Sequence, residues 1–302
     1  MQFTDKLLKD IYVLSNLEYH HTPELPDYDC YLLQYNGMIN SDWLSKHADG
    51  KKEFVILVPY TVYDNKWPGI TFLTYINWHR YVPVWKNTEI KYRFSLDSTH
   101  PNQSSTWILT QIAKQKQILI NHLPEKLVEL PDTHTGNILL DELAIEYIEQ
   151  HHNVILNSDS YTSGAIHLAT TDFPYSHMVD QYKPYIHPGP LITDNMLTCL
   201  YQGVGFIPCG QYKTLETLQE YGFIFEYDFD TSWDLDSGNL TRFSKICKLL
   251  ESFLDYTIDD LLDATQKTTE FNQYYATSNE FYQICEQQND ETVALILDKY
   301  VN

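Results

Sequence analysis

The stretch ITDNMLTCLYQGVGFIPCG, residues 192–210, decides the fold of this chain. Its polar start is typical of a helix N-terminus, and about two helical turns follow. A break that begins at Gly203 then leads into a short apolar run that ends at Gly210. This pattern predicts a helix near 194–202 and a strand near 204–209, joined by a tight turn. Their closeness serves either packing or the binding of an anion at the helix start.

Alternating strand and helix patterns extend along the chain on both sides of this stretch. Strands are predicted at 28–35, 53–60, 70–85, 89–98, 153–159, 176–182 and 223–229, and helices at 41–50, 103–121, 138–150, 214–221 and from 239 to the end. Such alternation favours parallel sheets with helices on their faces. We therefore expect an α/β protein with two domains, 1–125 and 135–270, joined near the prolines of 120–137. A helical tail, 271–302, is expected to cross back over the first domain.

Charge is distributed unevenly between the two halves of the chain. Residues 1–130 hold 13 basic and 14 acidic side chains, whereas residues 131–302 hold 7 and 27. An acidic back half argues against a protein that grips nucleic acid over its whole surface. There is no apolar run of membrane-spanning length, no signal peptide and no CxxC pair, so a cytoplasmic protein without a disulfide framework or zinc site is expected.

Four segments between 178 and 234 resemble, in order and spacing, a family of glycosyltransferase-like proteins common in phage genomes. They are MVDQY (178–182), ITDNMLTCLYQGVGFIPCG (192–210), TLETLQEYGFIFEYDF (214–229) and DTSWD (230–234). The family carries a T-E-K element at the start of the helix and P-F-I-x-x-G along the strand. A similar T-E-K element occurs in the donor-binding domain of fucosyltransferase-type enzymes. The match covers about a fifth of the chain.

This resemblance implies a GT-B-like arrangement of two Rossmann-like domains. The back domain would bind a nucleotide-sugar of the UDP type, and its sugar would face a cleft against the front domain, which would hold the acceptor. The donor-binding residues carried over are Thr193, Asp194, Asn195, Gly203, Gly210 and Gln211. No metal is implied, since the carboxylates of 228–236 lack the spacing of a calcium loop and are expected to form a solvated acidic loop.

Two positions depart from the family pattern. Asp194-Asn195 replaces Glu-Lys, which keeps a carboxylate for ribose hydroxyls but loses a cation that would meet a diphosphate. The family's lysine further along the helix is Thr198 here. The alternative to an enzyme is therefore a catalytically silent binding or structural protein on the same fold.

Catalytic residues are expected in SLDSTHP, 95–101, a loop between a predicted strand and a predicted helix. Asp97 is the candidate base that deprotonates the acceptor hydroxyl, and His100 is placed near the donor. The alternative is a helix-capping loop, in which Asp, Ser and Thr are ordinary residues.

Acceptor-binding residues are expected in NWHRYVPVWKNTEIKYR, 77–93, where basic and aromatic side chains alternate. The candidates are Trp78, His79, Arg80, Lys91 and Arg93. Such a run suits stacked bases, the apolar face of a sugar, or simply a core strand. The acceptor is then either a hydroxymethylated base in phage DNA, modified inside an infected host cell, or a glycan or small molecule.

Overall fold

The computed structural model describes residues 11–14, 27–28, 30–34, 39–40, 53–63, 69–80, 90, 92–96, 154–155, 164–170, 185–186 and 189–300. The helices predicted at 41–50, 103–121 and 138–150 and the strand predicted at 176–182 lie outside these residues. The proposed junction at 120–137 does as well, so the predicted domain boundaries stay predictions.

A four-stranded, all-parallel sheet is built from the front part of the chain. Its strands, in spatial order, are β1 (Ile11–Leu14), β2 (Cys30–Gln34), β4 (Glu53–Val58) and β5 (Ile70–Thr74). Strand β4 reads EFVILV, and five of its six residues are buried. A near-continuous apolar run is what a parallel strand covered on both faces requires. Two short strands, β3 (Ile39–Asn40) and β9 (Tyr185–Ile186), pair separately and antiparallel.

The second parallel sheet contains β6 (Tyr92–Leu96), β7 (Val154–Ile155), β8 (Gly164–Thr170) and β10 (Gly205–Cys209). Its spatial order is β10-β8-β6-β7. The chain passes from β6 outward to β7 and then returns to the other side of β6 to form β8. The strand order therefore reverses between β6 and β8, and in an open parallel sheet such a reversal is called a topological switch point.

The back part of the chain is mainly helical. Its helices are α1 (Asp194–Gln202), α2 (Thr214–Glu220), α3 (Asn239–Ser252), α4 (Ile258–Ala276) and α5 (Asn279–Tyr300). The predicted helix 194–202 is confirmed at both ends. The start of α4 is fixed by a capping box in which Thr257 and Asp260 satisfy each other's backbone N–H groups. None of the helices in the described part is long and apolar enough to cross a membrane.

The described elements fall into two compact units. The first contains β1 to β5, β9 and α5, and the second contains β6 to β8, β10 and α1 to α4. Helix α5 supplies buried Ile296 to the core of the first unit, together with Ile11, Cys30, Leu32, Val55, Leu57 and Tyr75. The prediction of an α/β protein with parallel sheets is confirmed.

One strand prediction was too long, and another was wrong. The strand predicted at 70–85 ends at Thr74, and a 3₁₀ turn, Trp78–Arg80, follows it. The segment 223–229 is not part of a sheet: the Ile224 N–H donates to Asn272 Oδ1, and the Ile224 carbonyl accepts from Asn272 Nδ2. Strands β1 and β8, which the sequence patterns did not indicate, complete the two sheets.

Candidate functional site

The candidate site lies at the carboxyl edge of the second sheet. Strands β6, β8 and β10 run parallel and end at this edge, at Leu96, Thr170 and Cys209. In open α/β sheets, ligands bind beyond this edge, next to the switch point. Gly210 and Gln211 directly follow β10, so the structure brings these two predicted donor-binding residues to the expected edge.

Helix α1 carries three of the predicted donor-binding residues at its start. Thr193 is the N-cap, and its Oγ1 accepts the N–H of Met196 at 3.4 Å. Asp194 is exposed and Asn195 is half-buried. At the other end, Gly203 closes the helix with φ 68°, a left-handed conformation that favours glycine. A Cβ on Gly203 would also lie 2.9 Å from the Gln273 side chain.

Thr198 is a core position of helix α1. Its side chain is buried, and Oγ1 donates to the Asp194 carbonyl at 2.8 Å. A lysine here would have to bury its ammonium group, which is costly without a partner. A threonine therefore suits the way α1 packs in this chain.

The carbonyl of Gly210 is bound by a buried arginine that the sequence analysis did not single out. Arg242, on α3, is only 1% exposed. Its Nε and Nη2 donate to the Gly210 carbonyl at 3.1 and 2.5 Å, and Nη1 donates to the Asp236 carbonyl at 2.7 Å. The backbone after β10 is thereby tied to a helix more than 30 residues away.

A carboxylate from the same chain, that of Asp234, already binds the N-terminus of α2. Both carboxylate oxygens of buried Asp234 accept backbone N–H groups, from Thr214 at 3.0 Å, Leu215 at 3.0 Å and Glu216 at 3.2 Å. Burial raises the pKa of Asp234 to about 6, although these three hydrogen bonds act to lower it. The carboxylate thus occupies the place where a helix start would otherwise attract a phosphate.

The acidic run 228–236 is used for local hydrogen bonding. Asp230 accepts from the backbone N–H and the hydroxyl of Ser232, both at 2.9 Å. Asp236 accepts from Lys245 at 3.0 Å and from the Gly238 N–H at 3.0 Å. Across the described residues, His, Cys, Asp and Glu side chains do not gather in groups of three as metal ligands would.

A buried polar pair links the two strands at the switch point. Ser95 Oγ on β6 and His167 Nδ1 on β8 lie 3.0 Å apart, and the two residues are paired in the sheet register. Both are almost fully excluded from solvent. The sequence signal was one polar residue in the middle of each strand, Ser95 in YRFSL and His167 in GAIHLAT, which is easily overlooked. Because of its burial, the pair is placed to fix the register of β6 and β8.

The predicted catalytic residues Asp97 and His100 lie outside the described residues, as does Lys91. Their roles stay predictions. Arg93 is described and half-buried on β6, in the second unit.

The other predicted acceptor-binding residues belong to the first unit, where they meet helix α5. Trp78 is buried. Glu286 Oε1 lies 2.8 Å from His79 Nε2 and 2.9 Å from Arg80 Nη2. Arg80 Nε also lies 3.0 Å from His79 Nε2. Burial lowers the pKa of His79, so at pH 7 the ring is neutral and one nitrogen cannot both donate and accept. We assign the proton to Nε2, because the carboxylate can only accept.

A cleft of about 320 Å³ opens at the opposite, amino edge of the second sheet. Gly164, Gly203 and Gly205 line one side of it, and Asp263, Gln266 and Glu270 of α4 line the other. Its place at the starts of β8 and β10 separates it from the candidate site.

No family model matches the chain, and no curated protein does either.

Proposed function

We propose that this protein is a glycosyltransferase that moves a sugar from a UDP-type nucleotide-sugar to an acceptor hydroxyl. In this proposal the second unit is the Rossmann-like donor domain of a GT-B-like enzyme. The observation that carries it is the reversal of strand order between β6 and β8, which marks a ligand crevice at the carboxyl edge of the sheet. The chain's Gly210-Gln211 segment lies at that edge.

The start of helix α1 is directed towards the same edge. Only two residues separate the end of α1 from the start of β10, and the chain turns back through Gly203. Nine helical residues span about 13 Å and five strand residues about 16 Å. The start of α1, with Thr193 and Asp194, is therefore expected near the end of β10. There the exposed Asp194 carboxylate can accept hydrogen bonds from ribose hydroxyls.

The basic side chains that the structure describes near this edge are already engaged, so in this proposal the diphosphate depends on backbone N–H groups. Lys213 pairs with Glu216 at 2.7 Å, Lys245 pairs with Asp236, and Arg242 binds backbone carbonyls. The start of α1 supplies partial positive charge without a side-chain cation. This arrangement suits a chain that has Asn195 and Thr198 where the resembling family carries lysines.

The proposed reaction needs one base. In an inverting transfer, the acceptor oxygen forms a bond to the anomeric carbon while the bond from that carbon to the diphosphate breaks. The hydroxyl proton passes to Asp97, and the nucleoside diphosphate leaves with the electron pair. Asp97 directly follows β6 in the sequence.

A catalytically silent binding protein on the same fold is the second candidate. It is favoured by buried Thr198 and by Asp234, which fills the start of α2 with an internal carboxylate. Both features leave a diphosphate with fewer partners than the family pattern provides.

Calorimetric titration with UDP and a panel of nucleotide-sugars tests the proposal. We expect saturable binding by the wild type, weaker binding by Asp194→Ala, and unchanged binding by Asp263→Ala, which removes an exposed carboxylate at the opposite edge. Release of sugar to an acceptor separates the enzyme from the silent protein. If the folded wild type binds no nucleotide, both the glycosyltransferase and the silent nucleotide-binding protein are overturned.

The acceptor is tested separately. A mobility shift with hydroxymethylated DNA at low salt, lost as salt rises, would support the DNA acceptor, because phosphate contacts weaken steeply with salt. Binding only to glycans or small molecules would support the other acceptor class.

A further inference from the structure

The four residues after β10, Gly210–Lys213, form a loop whose backbone is held by hydrogen bonds to neighbouring residues. Arg242 binds the Gly210 carbonyl from the interior, as described above. The Gln211 carbonyl accepts from Thr214 Oγ1 at 2.8 Å, and the Lys213 N–H donates to the Asp234 carbonyl at 2.7 Å. The backbone on both sides of Tyr212 is therefore fixed.

Lys213 shows how closely the loop is determined. Its φ is 64°, the left-handed region, and it is the one non-glycine residue with positive φ among those the structure describes. Such a conformation costs free energy and persists only where the surroundings impose it. Here the Lys213 N–H donates to the Asp234 carbonyl at 2.7 Å and the Lys213 carbonyl accepts the Thr217 N–H at 2.9 Å, which together hold this conformation.

Tyr212 is the side chain that this loop presents to solvent. It is 39% exposed, although it is a large aromatic residue next to the candidate donor site. An aromatic ring on a fixed backbone loses little conformational freedom when a ligand covers it. Its flat face suits a planar base.

We propose that Tyr212 stacks on the base of the bound nucleotide. This inference rests on the proposed function, since it takes the carboxyl edge of the second sheet as the nucleotide site. It adds a residue to the donor-binding set that the resemblance supplied, and it assigns the loop a role: Arg242 and Asp234 hold the backbone on either side of Tyr212 before the ligand arrives.

Titration of UDP into Tyr212→Ala, Tyr212→Phe and wild type tests the inference, with thermal unfolding to show that each variant is folded. Stacking of a base on an aromatic side chain contributes about 1–3 kcal/mol, so we expect Tyr212→Ala to weaken UDP binding by about 5- to 150-fold. Tyr212→Phe keeps the ring and should bind within about threefold of the wild type. Tyr274→Ala is the control, because Tyr274 is 78% exposed on α4.

The outcomes separate the inference from the proposed function. Wild-type binding with unchanged affinity in Tyr212→Ala overturns the inference and leaves the donor site standing. A loss seen with nucleotide-sugars but not with UDP would place the ring against the sugar and overturn the assignment to the base. If the folded wild type binds no nucleotide, the proposed function fails and the inference fails with it.

Discussion

At the scale of single residues, Arg242 connects the loop after β10 to helix α3. Its guanidinium satisfies the Gly210 and Asp236 carbonyls in the interior. We expect Arg242→Met to lower the free energy of unfolding by at least about 2 kcal/mol, because hydrogen bonds from a charged donor are lost and buried carbonyls remain. Urea unfolding measures the change. Lys248→Met, which removes an exposed cation from the same helix, should change it by less than about 0.5 kcal/mol; equal losses in both variants would contradict the assignment.

Asp234 should give the protein a pH-dependent stability term. Because burial raises its folded-state pKa to about 6 from 3.8, the folded state binds the proton more tightly than the unfolded state. The stabilising contribution is complete below the unfolded pKa and is lost as pH rises through about 6. Relative to Asp234→Asn, which cannot titrate, the wild type should therefore lose up to about 3 kcal/mol between about pH 4 and pH 7.

Unfolding of both proteins across this pH range provides the measurement. Parallel stability curves for wild type and Asp234→Asn would show that Asp234 does not titrate in this window.

Neither Asp234 nor Arg242 could be assigned from sequence, since Asp234 stands in a run of carboxylates and Arg242 among polar helix residues. Their partners, Thr214 to Glu216 and Gly210, are some 20 and 32 residues away.

At the scale of elements, helices α4 and α5 each use an asparagine to satisfy extended backbone. Asn289 on α5 accepts the Ile76 N–H and donates to the Ile76 carbonyl, both at 2.7 Å, just after β5. Asn272 on α4 does the same for Ile224. In both places the asparagine side chain makes the pair of backbone hydrogen bonds that a neighbouring strand would otherwise make.

Asn289→Ala should lower the free energy of unfolding by about 2–3 kcal/mol, because the buried N–H and C=O of Ile76 lose their partner. Chemical denaturation of this variant beside Asp290→Ala, an exposed neighbour, measures the difference. If the two variants unfold at the same denaturant concentration, the hydrogen bonds to Ile76 are not important for stability.

The same contacts explain which elements the sequence could predict. Helix α1 was found at both ends because its cap, Thr193, and its terminating Gly203 are local signals. Strand β8 was missed because GAIHLAT has few β-branched residues and a central histidine, and only its partners β6 and β10 make it a strand. The segment 223–229 looks like a strand, but its hydrogen bonds go to a helix residue 48 positions away.

At the scale of the whole molecule, the first unit is assembled from distant parts of the chain. Strands β1 to β5 come from residues before 75, whereas helix α5 comes from 279–300. Ile296 is fully buried against the first sheet's core, while neighbouring Leu295 is 59% exposed. The hydrophobic core of the first sheet is therefore incomplete without helix α5.

Deletion of residues 279–302 should consequently unfold the first unit and spare the second. We expect amide hydrogen exchange protection to fall in β4 and β5 and to persist in β8, β10 and α4, since stability is local to each cooperative unit. Ile296→Ala should reproduce part of the effect at a cost of about 2–5 kcal/mol, and Leu295→Ala should not. If amide protection is lost from both sheets alike, the two units unfold together. If amide protection is kept in β4 and β5, helix α5 adds nothing to the core it contacts.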